Sequence, residues 1–156
     1  MDLILWRHAE AKDLEAGQGD EDDMKRALTS RGEKQAARMA KWLDRQLPDA
    51  TRVLVSPALR CEQTALALSR KYKIKPELAH GFSADDLLKA AQWPDAKTPM
   101  LLVGHQPALG QAIAQLLGLQ ASECAVRRGA VWWLRTRERD GHGQTVVVTV
   151  QSPEVL

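Results

Sequence analysis

Three short apolar runs, Leu3-Ile4-Leu5-Trp6, Val53-Leu54-Val55 and Met100-Leu101-Leu102-Val103, constrain the fold more than any other feature of the chain. Each reads as a buried strand, and segments of helical periodicity lie between them. Ser30-Arg31-Gly32-Glu33 fits a capping box, followed by Ala36, Met39, Ala40, Leu43 and Leu47 on one helix face and by Pro48 as a stop. Ser56-Pro57 reads as an N-cap with proline in the first turn, and Cys61, Ala65, Leu68 and Tyr72 line the helix behind it. Ser83-Ala84-Asp85-Asp86 opens a third helix with Leu87, Leu88 and Ala91 inward, and Gln106-Pro107 opens a fourth that stops at Gly118.

Strands alternating with helices predict a largely parallel sheet, because each parallel connection needs a crossover that lays a helix on one face. A weak strand is expected near Ile74 to Leu78. Two further strands, Ala130 to Thr136 and Thr145 to Gln151, are joined by a turn holding Gly141 and Gly143 and should pair antiparallel. The expected fold is an α/β three-layer sandwich: a mostly parallel sheet, helices on both faces and an antiparallel C-terminal hairpin. Residues 1–156 suffice for one domain. Lys12 to Lys25 reads as a long loop whose acidic run, Glu15 and Asp20 to Asp23, is a solvated surface.

Composition narrows the function classes. No apolar run approaches the roughly 20 residues of a membrane span, and the first residues lack the features of a secretory signal. Cys61 and Cys124 form neither a disulfide framework nor a metal-type spacing. A cytoplasmic enzyme is the expectation. A net charge of +2 is too small to point to nucleic acid or an anionic membrane, and a monomer is expected.

The chemistry gathers at three strand ends. The first run finishes in Arg7-His8, the second in Ser56-Pro57 with Arg60 in the turn that follows, and the third in Gly104-His105. In an open parallel sheet the carboxyl ends of the strands share one edge, and ligands bind in the crevice there. Topology therefore brings two imidazoles and two guanidiniums to one rim. Arginine forks and helix N-terminal amides match a phosphate dianion in charge and geometry. Singly, each residue has an ordinary structural reading. Arg60 is the most pointed, since a cation in a first helical turn is unfavourable unless an anion sits nearby.

Leu5-Trp6-Arg7-His8-Ala9-Glu10 resembles the signature loop of the histidine phosphatase (phosphoglycerate mutase-like) superfamily, in which Arg-His-Gly follows the first strand. Leu28-Thr29 with Gly32, Ser56-Pro57-Ala58-Leu59-Arg60-Cys61-Glu62-Gln63-Thr64-Ala65 and Val103-Gly104-His105 are similar to its later motifs, in family order. The short chain, and Ala9 in place of glycine, resemble the compact SixA-type phosphohistidine phosphatase branch. The resemblance implies that His8 attacks phosphorus and carries the phosphoryl group. Arg7, Arg60 and His105 would bind the substrate's phosphoryl oxygens, and no metal or other cofactor takes part. Neighbouring arginines are expected to hold His8 unprotonated.

One departure bears on substrate. Larger members supply a glutamate after the third strand to protonate an alcohol leaving group, whereas Ala79 to Asp86 contains none. His80 could substitute or be a loop residue; Asp85 and Asp86 read as first-turn caps. A phosphorylated imidazole needs a positioned acid less than an alkoxide does. The expected substrate is therefore phosphohistidine on a protein, a phosphotransfer domain or a phosphocarrier. A small-molecule phosphomonoesterase or mutase and a non-catalytic phosphate-recognising module are the alternatives. Trp132-Trp133 reads as core or edge packing. Arg127, Arg128, Arg135, Arg137 and Arg139 form either a solvated face or a surface for an acidic protein.

Overall fold

A computed structural model describes residues 1–156. The six strands are β1 (Asp2–Arg7), β2 (Arg52–Val55), β3 (Lys73–Ile74), β4 (Met100–Gly104), β5 (Val131–Arg139) and β6 (His142–Gln151). They form one sheet in the order β3-β2-β4-β1-β5-β6. β3, β2, β4 and β1 run parallel, β5 is antiparallel to β1, and β6 is antiparallel to β5. The α/β sandwich with a C-terminal antiparallel hairpin is the fold that the strand and helix alternation predicts.

The apolar runs are continuous because both faces of the sheet are covered. Leu3, Leu5, Leu54, Leu102 and Leu134 point to one side, where α4 (Ala84–Ala90) and α5 (Ala108–Leu117) pack. Ile4, Trp6, Val53, Val55, Leu101, Val103 and Trp133 point to the other, under α2 (Ser30–Gln46) and α3 (Leu59–Leu66). This is the two-residue period of a strand expressed on two cores at once. Trp132 and Trp133 follow the same rule, one ring against each core.

Local signals were partly displaced by tertiary ones. Thr29, not Ser30, caps α2, with its hydroxyl accepting from the Gly32 amide. The same residue's amide donates to the Glu10 carbonyl, which fixes it one position earlier than the capping-box pattern implies. α3 begins at Leu59 with Ala58 at the cap, while the Ser56 hydroxyl accepts from the Ala58 amide at 3.3 Å and from His105 at 2.7 Å. It ends at Leu66; Ser69 takes φ 56° and turns the chain, so Leu68 and Tyr72 pack from beyond the helix. A five-residue helix, α1 (Asp20–Met24), interrupts the long loop. The expected strand at Ile74 to Leu78 is two residues of β3 and a 3₁₀ turn from Pro76 to Leu78. The hairpin strands run longer than expected: Gly143 is inside β6, and Asp140-Gly141, both at positive φ, make the two-residue turn.

Gly32 shows how tightly the motif segments approach. A β-carbon there would lie 1.9 Å from the Glu10 carbonyl oxygen, backbone against backbone. Gly32→Ala is expected to destabilise the protein by about 1–3 kcal/mol, the usual range for forcing a methyl into a filled site. Urea unfolding would measure this; an unchanged midpoint would mean that the start of α2 can move off the loop.

Candidate active site

Strand register builds the rim. Trp6 and Val55 each pair with Val103, so Arg7, Ser56 and Gly104 leave the sheet level with one another. The ladder continues one step, with the Ser56 amide bonded to the Val103 carbonyl at 3.0 Å and the His8 amide to the Gly104 carbonyl at 3.2 Å. His8 and His105 then face each other with ring centroids 5.4 Å apart. They open onto a cavity of about 180 Å³ walled by the guanidiniums of Arg7, Arg26, Arg60 and Arg128 and by the imidazole of His80. No carboxylate lines it.

The hydrogen bonds fix the state of each imidazole. His8 Nδ1 lies 2.8 Å from the Ala9 carbonyl, which can only accept. Nδ1 therefore carries the proton, and the lone pair is on Nε2. Burial first, and then the charges of Arg60, Arg7 and Arg26, push His8 down to about 3, although its bond to Ala9 opposes this. Burial thus does more to keep His8 neutral than the arginines that the sequence pointed to.

His105 is locked between two partners. Arg60 Nη2 donates to its Nδ1 at 3.3 Å, so Nε2 holds the proton and donates to the Ser56 hydroxyl at 2.7 Å. Burial, followed by Arg60, His8 and His80, depresses its pKa to about 2. Both ring nitrogens of His105 face protein groups in this arrangement.

Arg60 is only 2% exposed. Its Nη1 donates to the Asp23 carbonyl at 2.8 Å and its Nη2 to the Asp23 carboxylate at 3.2 Å. Arg26 Nε meets the same carboxylate at 2.9 Å. Burial alone would raise the Asp23 carboxyl; Arg60 and Arg26 outweigh it and hold the group below the ordinary range. Arg7 is anchored by the Val126 carbonyl at 2.7 Å. The Nε groups of Arg7 and Arg60 are buried without a hydrogen-bond partner.

The remaining motif residues are braces. Thr64 accepts from the Ala9 amide at 3.1 Å and donates to the Arg60 carbonyl at 2.7 Å, tying the loop after β1 to α3. Gln63 accepts from the Leu28 amide at 2.7 Å, and Gln35 from the Glu10 amide at 3.0 Å. The Gly129 amide is shared between the Arg7 and His8 carbonyls at 3.1 and 3.0 Å.

Arg7, His8, Arg60 and His105, singled out from the sequence, all reach this cavity. His80 joins them, its ring centroid 6.1 Å from that of His105. Asp86 caps α4 with Ser83, whereas Asp85 accepts from Gln115 instead of capping. Sequence reasoning missed Asp23, which lies in the acidic run read as a solvated surface, and Arg26, just beyond that loop. Their signal was position: both fall within six residues before the Leu28-Thr29 motif. Arg128 was grouped with distant arginines. Arg137 and Arg139 stand at the far end of β5, and Arg135 is paired with Asp2.

A profile of the histidine phosphatase superfamily (branch 1) matches residues 3–84. This chain belongs to the histidine phosphatase superfamily. It is 30% identical over 134 residues to a phosphohistidine phosphatase SixA homolog of Haemophilus influenzae, covering 76% of this chain and 78% of the relative. It is 32% identical over 127 residues to phosphohistidine phosphatase SixA of Escherichia coli, covering 74% of each. Among solved structures it is similar to the protein histidine phosphatase SixA complexed with tungstate, with TM-score 0.74 and 26% identity over 99% of both chains.

As a histidine phosphatase with two depressed histidines, the protein should lose stability in acid. The folded state refuses protons that the unfolded chain accepts from about pH 6.5 downward. Stability from His8 and His105 is therefore complete above that pH and is lost as the pH falls toward about 3. Urea unfolding between pH 4 and 7 should show a shallower pH slope for His105→Gln than for the unsubstituted protein. Parallel slopes would contradict the assignment.

Proposed function

We propose that this chain is a hydrolase that removes the phosphoryl group from phosphohistidine on a protein, through a transient phosphohistidine on His8. The observation that carries the reading is the unprotonated Nε2 of His8, facing a cavity rich in guanidinium and free of carboxylate. Two relatives bear the name phosphohistidine phosphatase or its homolog, and the structure with 26% identity was solved with tungstate, a tetrahedral oxyanion.

In the first step His8 Nε2 attacks phosphorus and the substrate's P–N bond breaks. Its electron pair stays on the leaving imidazole nitrogen, which takes up a proton. In the second step water attacks phosphorus, and the P–N bond to His8 breaks to release inorganic phosphate. Splitting the transfer in two replaces one hard displacement with two easier ones. Arg7, Arg60 and Arg26 face the equatorial oxygens and offset charge as it develops, the main catalytic contribution in phosphoryl transfer. His105 aligns Arg60 through its Nδ1 and is the wall opposite His8. His80, at the rim, is the side chain placed to pass a proton to the leaving nitrogen.

The absence of a carboxylic acid from the cavity wall favours this leaving group over an alkoxide, which gains about 10²–10⁴-fold from a positioned acid. No helix is long and apolar enough to cross a membrane, and a cytoplasmic setting with a phosphotransfer domain or phosphocarrier as substrate fits this chemistry. Mass analysis of protein quenched during turnover should place the phosphoryl group on His8, and His8→Ala should lower kcat by about 10³-fold or more. Label on another residue, or faster turnover of simple phosphomonoesters than of a phosphohistidine protein, would overturn the proposal.

A further inference from the structure

Beside the catalytic cavity lies a second cleft that the proposed chemistry does not use. It measures about 240 Å³ and is walled by Arg31, Lys34, Gln35 and Arg38 of α2 with Pro153 and Glu154. The three cations stand at i, i+3 and i+7 and so share one stripe of the helix. The stripe is poorly compensated. Arg31 meets Glu10 at only 3.8 Å with its side chain 74% exposed, and neither Lys34 nor Arg38 pairs with a carboxylate, Glu154 included.

This cleft is continuous with the nucleophile's loop. Gln35 bonds the Glu10 amide, two residues beyond His8. A β-carbon on Gly129 would lie 2.9 Å from Pro153 and 3.7 Å from Gln35, and the Gly129 amide bonds the His8 carbonyl. Arg127 and Arg128, directly before Gly129, are exposed and also unpaired, and Arg128 lines the catalytic cavity. A band of five cations therefore runs from the phosphoryl pocket along α2, in a protein whose net charge is only +2.

We propose that this band, Arg127 and Arg128 leading to Arg31, Lys34 and Arg38, is a docking surface for an acidic face of the phosphohistidine protein that the enzyme dephosphorylates. The inference rests on the proposed function and adds to it the charge and placement of the partner's contact. A small cavity of guanidiniums binds the phosphoryl group of any donor alike; selection of a protein has to come from surface beyond it. Charge complementarity supplies orientation and encounter rate at such surfaces. Nucleic acid is the lesser fit, because no aromatic side chain lines the cleft for stacking.

The test compares the intact protein with the combined variant Arg31→Gln, Lys34→Gln, Arg38→Gln. A second variant, Arg137→Gln with Arg139→Gln, removes charge at the far end of β5 as a control for net charge. Each is given a phosphorylated acidic phosphotransfer domain and free phosphohistidine at low and high salt. The triple variant should lose about tenfold or more in kcat/KM toward the domain, the summed effect of three exposed charge contacts. It should keep its rate on free phosphohistidine and show a flatter salt dependence, and the control should match the intact protein.

Equal loss on both substrates, no loss on the domain, or an equal loss in the control would overturn the surface. So would inhibition by single-stranded DNA at concentrations that spare the triple variant, which would assign the band to nucleic acid. Binding of the same domain is measured by calorimetry in parallel. An enzyme that turned over neither substrate would count against the proposed function, while the affinity ratio would still decide the surface.

Discussion

The guanidinium of Arg60 is withdrawn from water, and a cation at that depth needs compensating groups around it, which set the form of the site. Asp23 supplies a carboxylate and a carbonyl, and His105 supplies a ring nitrogen. That last bond dictates which nitrogen of His105 holds a proton, and this in turn engages Ser56. The same charge adds to burial in holding His8 and His105 neutral. One buried side chain thus links the acidic segment, the end of β2, the end of β4 and His8.

The sheet gives this cation its place. β1, β2 and β4 are adjacent and parallel, so the residues that follow them emerge together at one edge. The loops on that edge are then fastened to one another by hydrogen bonds whose only visible task is bracing. Thr64 holds the loop after β1 to α3, Gln63 holds the segment before α2, and the Gly129 amide spans the Arg7 and His8 carbonyls. Ordinary hydrogen bonds of this kind restrict the chain enough to keep the arginines directed inward.

Much of this was legible in the sequence because it depends on short-range patterns. Leu3–Trp6, Val53–Val55 and Leu101–Val103 carry apolar residues toward both faces, and a strand end can be placed wherever such a run meets charge. The helix start read at Ser83 to Asp86 is there, closed by a Ser83–Asp86 capping box. What the sequence hid was decided by contacts between distant segments. Thr29 displaced Ser30 as a cap because the Glu10 carbonyl holds its amide, and Ser56 sits ahead of the α3 cap with its hydroxyl shared between the Ala58 amide and His105. Asp23 in the short helix α1, Arg26 just after it and Arg128 lie in connecting segments that reach the cavity, and nothing in local periodicity reports where such a connection closes.

Cys61 sits at the heart of this arrangement, its sulfur 3.4 Å from His105 Nε2, yet burial pushes its thiol up to about 12. The thiolate, which is the reactive form, is all but absent at that value. Alkylating reagents and peroxide, which silence phosphatases that use a cysteine nucleophile, find no thiolate beside His8 and His105. The exposed thiol chemistry of the molecule is left to Cys124, outside the cavity. If phosphoryl transfer is centred on His8, as proposed, an oxidising episode that halts cysteine-dependent dephosphorylation would leave it running.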